Sequence, residues 1–154
     1  MWEDLQDYGR DIRILIIEDN PGDVRLLRDA LKELKAPVEI RVASDGAEGL
    51  RMTLNPGSEA WQPDLIFLDL NLPKIGGHEV LARLKAHPEK RLIPVIVLSS
   101  SRAETDINRA YDAHANAYIR KPTSLDDLMR AVKGLKTFWI DTVRLPNVPG
   151  GVHG

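Results

Sequence analysis

The chain has no cysteine. Disulfides, thiolate nucleophiles, iron–sulfur clusters and cysteine-ligated zinc are therefore excluded together, and a reducing compartment fits. Neither sign of charge dominates: 21 lysines and arginines stand against 23 aspartates and glutamates, a formal net charge of −2. Without a broad basic face to neutralise nucleic-acid phosphates, direct DNA or RNA binding is not expected. Long apolar runs are missing as well. The longest, such as Ile14 to Ile17 and Val95 to Leu98, are strand-sized and far short of a membrane span. Residues 1–10 carry acids in place of an apolar signal core. The expectation is a soluble, cytoplasmic protein that makes no membrane contact. His78, His87, His114 and His153 show neither metal-ligand spacing nor a Glu-flanked helical pair, and read as surface residues.

What is present suits one ordinary domain. Its 154 residues, 43% apolar and 29% charged, lie outside the disordered and low-complexity classes. At this length roughly 70% of the unfolded surface can be buried. No internal repeat or second domain is visible.

Arg13 to Ile17 reads as a strand buried on both faces. Asn20-Pro21 then opens a helix, with Val24, Leu27, Leu31 and Leu34 at helical spacing. Val38, Ile40 and Val42 alternate with charged partners as in a half-exposed edge strand, and Asp45 to Leu54 reads as a second helix despite Gly46 and Gly49. After a loop over Asn55 to Gln62, the rhythm repeats. Strands are expected at Leu65–Leu68, Pro94–Leu98 and Ala117–Ile119, and helices around Val80, Leu81 and Leu84, at Ala103–Ala113 and at Ser124–Lys136. Five strands alternating with five helices demand right-handed crossovers and a parallel sheet covered on both faces, a three-layer α/β sandwich.

Ligands of such sheets bind beyond the carboxyl ends of the strands. Here the first strand ends in Glu18-Asp19, the third in Asp69 and the fourth in Ser99-Ser100, and Arg120-Lys121-Pro122 follows the fifth. Carboxylates gathered on one rim repel one another unless one is protonated or a hard cation joins them. Magnesium is the natural choice, because it accepts a few carboxylate or carbonyl oxygens together with waters and a phosphate oxygen. A carboxylate can be the nucleophile toward phosphorus while a cation, an ammonium and a hydroxyl share the charge of the equatorial oxygens. Asp69, Lys121 and Ser99 are of the right types. Each piece also has an ordinary reading: a helix start for Glu18-Asp19, a turn for Asp69, a solvated side chain for Lys121, loop composition for Ser99 to Ser101. It is their conjunction at four strand ends that points to a site.

Ile17-Glu18-Asp19-Asn20, Leu68-Asp69-Leu70-Asn71-Leu72-Pro73 with Gly76-Gly77, Leu98-Ser99-Ser100 and Tyr118-Ile119-Arg120-Lys121-Pro122 together resemble the receiver domain of two-component response regulators. The resemblance covers residues 11–136, flanked by an arm (1–10) and a C-terminal extension (137–154). It implies a flavodoxin-like (CheY-like) sheet of order 2-1-3-4-5, with Asp69 accepting a phosphoryl group from a phosphohistidine on a sensor histidine kinase. It further implies magnesium held by Glu18 and Asp19, with Asp19, Asp69 and the backbone carbonyl of Asn71 as direct ligands. Ser99 and Lys121 would meet the phosphoryl oxygens, and Tyr118 would be a switch aromatic moving with Ser99. In such domains the bond corresponding to Lys121-Pro122 is typically cis. Asn71 and Ser101 would stand near the attacking water; neither is a general acid or base at neutral pH, so slow dephosphorylation is expected.

Other readings fit less well. A magnesium-dependent phosphatase of the haloacid dehalogenase type wants an acid two residues after the nucleophile, where this chain has Asn71. A flavodoxin-type carrier needs a phosphate loop where Glu18-Asp19 would repel the phosphate. A receiver-like module that is never phosphorylated would not need every one of these residues. Beyond residue 136, Phe138, Trp139, Ile140, Val143 and Leu145 continue the apolar content before Pro146 and Pro149. They either fold back onto the domain or present an aromatic patch to another copy or the kinase. Phe138-Trp139 with Leu145-Pro146 resembles the extension of stand-alone regulators of bacterial and cyanobacterial phytochrome kinases. The expectation is a homodimer through Phe138, Trp139, Val143 and Leu145. With no effector segment after the receiver, output would pass by protein contacts to a downstream partner, a phosphotransfer protein of a phosphorelay, or the kinase.

Overall fold

The computed structural model describes residues 11–32, 37–55, 57 and 60–146. The expectations on the arm (1–10), Leu34, Pro149 and His153, and on the rest of the tail from 147, lie outside these residues. Five strands, β1 (Ile12–Ile17), β2 (Val38–Ala43), β3 (Leu65–Leu68), β4 (Val95–Ser99) and β5 (Ala117–Arg120), alternate with five helices. These are α1 (Pro21–Lys32), α2 (Gly46–Leu54), α3 (Gly77–Ala86), α4 (Glu104–Asp112) and α5 (Leu125–Leu135). All pairings are parallel and the order is β2-β1-β3-β4-β5, as expected. Among the described residues no helix is long and apolar enough to cross a membrane.

The period-2 alternation of strands sorts the core into two layers. Leu15, Ile17, Ile66, Leu68, Val95 and Val97 face α2, α3 and α4. Ile14, Ile16, Leu65, Phe67, Ile96 and Leu98 face α1 and α5. The three central strands are apolar on both faces because helices cover both. β2, paired on one side only, is mostly half-buried, with Arg41 exposed and Ala43 buried.

Two glycines record where backbones must touch. A Cβ on Gly77 would stand 2.3 Å from the Asp69 carbonyl oxygen, and one on Gly46 would stand 2.0 Å from that of Ile75. Only glycine lets the starts of α3 and α2 press against the loop after β3. Gly77 also donates to the Leu70 carbonyl at 3.0 Å.

Two features differ from the expectation. α5 does not stop at Lys136: it runs into a π-helical stretch over Lys136–Thr142. The chain then folds back so that Leu145 is buried in the layer under α1 and α5, with Trp139 and Val143 packed against it. Leu145, 2% exposed, is therefore a core residue of its own domain, which corrects its assignment to a partner surface. The loop before β3 is also less peripheral than its composition suggests, since Trp61 is buried in the other layer.

Candidate functional site

Strand register assembles the site. Ile17 pairs with Leu68 and Ser99 with Arg120, so the residues just beyond share one rim. The amide of Asp69 donates to the Ile17 carbonyl at 3.0 Å and that of Lys121 to the Ser99 carbonyl at 2.7 Å. Parity sets the sides. Glu18, Asp69 and Lys121 continue the alternation that faces α1 and α5, whereas Ser99 and Tyr118 continue the one that faces α4.

Carboxylate oxygens of Glu18, Asp19 and Asp69 lie within 4.8 Å of one another, Glu18 and Asp69 buried and Asp19 exposed. Lys121, on the same side of the sheet as Glu18 and Asp69, reaches into the cluster. Its ammonium donates to Glu18 and to Asp23 at 2.8 Å, and lies 3.9 Å from an Asp69 oxygen. Burial, the shared hydrogen bond with Asp69 and that neighbour's charge push the Glu18 carboxyl up to about 7, against the opposing pull of Lys121. Burial alone would lower the Lys121 ammonium, but its bonds to Asp23 and Glu18 and the charges of Asp69 and Glu18 prevail and raise it. An acidic cluster that stays partly protonated despite a lysine is short of positive charge. A hard divalent cation fits such an all-oxygen donor set.

The cluster opens into a cleft of about 590 Å³, whose walls include Asn71, Ser100, Arg102, Lys121 and Thr123. Asn71, exposed, donates its amide to an Asp69 oxygen at 3.4 Å. Ser99 is fully buried behind the cleft, and its hydroxyl accepts from the Ser101 amide at 3.2 Å. Ser101 itself turns away: its hydroxyl donates to Asp106 at 2.6 Å and it does not line the cleft. Tyr118 is half-buried, and its hydroxyl donates to the Ser101 carbonyl at 3.1 Å.

A sequence profile of the response regulator receiver domain matches residues 14–133. The chain belongs to this family. The response regulator Rcp1 of Synechocystis sp. is 40% identical over 135 residues, covering 86% of this chain and 92% of Rcp1. A probable methanogenesis regulatory protein, FilR2 of Methanothrix harundinacea, is 39% identical over 134 residues, 86% of each chain. The Mn2+-bound form of Rcp1 superposes with a TM-score of 0.86 at 39% identity, over 88% of this chain and 99% of that one. The phosphorylated cyanobacterial phytochrome response regulator RcpA does so with 0.85 at 43% identity, over 90% and 100%.

In this receiver three sequence-based expectations change. No peptide bond among the described residues is cis, so Lys121-Pro122 is trans, and Lys121 is aimed by Glu18 and Asp23 instead. His78 is not a surface residue: its side chain is 14% exposed and its Nε2 lies 3.3 Å from Asp106. Leu145 has left the group proposed for a partner, while Phe138 is 55% exposed and stacks edge-on with Trp139 at 5.6 Å. Sequence reasoning also missed Asp23 and Arg102. Asp23 is three residues after the cap Asn20, whose side chain accepts from its amide at 3.1 Å, so a capping role hid the partner of Lys121. Arg102 follows a serine run and carried no pattern that could have marked it.

Proposed function

We propose that Asp69 of this receiver takes a phosphoryl group from a phosphohistidine of a sensor histidine kinase. The observation carrying the reading is the convergence of Asp69, Glu18 and Asp19 with the Lys121 ammonium at one rim of the sheet. The Asp69 carboxylate forms the new O–P bond as the donor's P–N bond breaks, and the electron pair leaves with the imidazole, which takes up a proton. Lys121 is a mobile point charge able to exchange Glu18 and Asp23 for phosphoryl oxygens, and the Ser99 hydroxyl is a donor on the other side. Glu18, Asp19, Asp69 and the Asn71 carbonyl would hold magnesium, which supplies charge to offset that of the phosphoryl oxygens. Asn71, beside Asp69 on the cleft wall, tunes the lifetime of the acyl phosphate.

The bound state signals through protein contacts around α4 and β5, where Tyr118 sits, in the cytoplasm. A phytochrome-type kinase as donor is supported by the likeness to RcpA across nearly the whole chain, and pairing of two copies by the exposed Phe138 beside Trp139. The deciding experiment incubates the wild type and Asp69→Asn with acetyl phosphate and Mg2+ and measures intact mass. One added phosphoryl in the wild type alone is expected; none in the wild type, or the same gain in both, overturns the reading.

A further inference from the structure

We propose that His78 and Asp106 are positioning residues that act through Ser101 to hold the segment after β4, and with it Ser99 and Tyr118, against the start of α3. The proposal rests on the reading that Ser99 meets the phosphoryl group on Asp69.

Ser101 is the node of the network. Its amide donates to the Ser99 hydroxyl at 3.2 Å, its carbonyl accepts from the Tyr118 hydroxyl at 3.1 Å, and its own hydroxyl donates to Asp106 at 2.6 Å. A serine hydroxyl has one hydrogen. While that hydrogen is donated to Asp106, Ser101 cannot donate to a water or phosphoryl oxygen in the cleft. The Ser101 hydroxyl in turn accepts from the Ala103 amide at 3.3 Å, just before α4.

Asp106 is held below the usual carboxylate range, first by the Ser101 hydroxyl and then by His78. An ionised carboxylate only accepts, so the His78 Nε2 at 3.3 Å carries the hydrogen. Among the described residues the other ring nitrogen of His78 is buried with no hydrogen-bond partner, and Asp106 is the polar side chain its ring meets. His78 follows Gly77, whose backbone presses on the Asp69 carbonyl. A continuous chain of contacts thus runs from Asp69 through Gly77, His78, Asp106 and Ser101 to Ser99. Any movement of Ser99 toward a phosphoryl group strains or breaks a bond in it.

A plain cap at the start of α4 would use the same serine, so the test must separate coupling from stability. In the full chain, Ser101→Ala, Asp106→Ala, His78→Ala and the double variant Ser101→Ala/Asp106→Ala are compared for acyl-phosphate decay after acetyl phosphate and Mg2+. The conservative pair is Ser101→Thr and His78→Gln, which keep a hydroxyl and an N–H. Fluorotyrosine NMR of the unphosphorylated chain, assigned with Tyr118→Phe, reports the ring. The single alanine variants at 101 and 106 should change the decay rate in the same direction by roughly threefold to tenfold, with the double variant no larger than the greater single. The conservative variants should stay within roughly twofold of wild type, and both alanine variants should move the Tyr118 resonance alike. Multiplicative effects in the double variant, or unchanged decay with only a lowered melting temperature, overturn the proposal in favour of a cap. If the wild type takes no phosphoryl, it is the functional reading that fails. The Tyr118 resonance then decides this one, and indifference to Asp106→Ala overturns it.

Discussion

Lys121 donates to Asp23 at 2.8 Å across 98 residues of sequence, tying the end of β5 to the first turn of α1. The same ammonium serves Glu18 and stands by Asp69. Its side chain is 11% exposed, and removing one member of a buried ion cluster leaves the others uncompensated. Lys121→Met should therefore cost about 3 kcal/mol in metal-free buffer. Because Lys121 is raised, its contribution is intact at neutral pH and is lost only above the ordinary lysine range near 10.5. Urea unfolding in EDTA and in excess Mg2+ checks this: the loss should shrink when the divalent ion takes over the compensation. Equal stability of variant and wild type in EDTA would refute it.

The raised Glu18 carboxyl gives the site a pH signature. Between its ordinary 4.5 and about 7 in the fold, the native chain holds a proton the unfolded chain has lost. This group therefore lowers stability as pH rises through that window and adds no slope above it. A divalent cation needs the carboxylate, so binding expels the proton. Mg2+ affinity should climb from pH 5.5 to 7 and level off by 8. More protons should be released per ion at pH 6 than at pH 8. Calorimetry in buffers of different ionisation heat reads that release, and Glu18→Gln should abolish its pH dependence. Proton release that is the same at both pH values would count against a shifted Glu18.

Much of this was legible in the sequence because parallel strands advertise themselves. β1, β3 and β4 are short apolar runs ending abruptly in Glu18, Asp69 and Ser99, and only burial on both faces needs such runs. The rim then follows from parallel pairing alone. What stayed hidden depends on distance or on shared residue chemistry. Asp23 serves a helix start and a lysine equally well, and its pairing with Lys121 is set by how α1 packs. Ser101 looked like a cleft residue until α4 placed Asp106 under its hydroxyl. An apolar residue carries no mark of whose core it joins, so Leu145 and Phe138 read alike although one is buried and the other exposed.

That last contrast separates stability from association. Leu145 lies in the layer with Leu128, Val132 and Leu135 of α5, and truncating a fully buried leucine costs its transfer free energy plus the cavity left behind. Leu145→Ala should lower unfolding free energy by about 2–4 kcal/mol without changing the mass of the folded protein in sedimentation. Phe138, beyond the core at the π-helical stretch, has little to lose on folding. Phe138→Asp should shift stability by no more than about 0.5 kcal/mol but convert a dimer to a monomer. The two variants must be read together. A wild type already monomeric at tens of micromolar would rule out the Phe138 contact, whereas a monomeric Leu145→Ala would show that the fold-back, rather than the exposed ring, makes the interface.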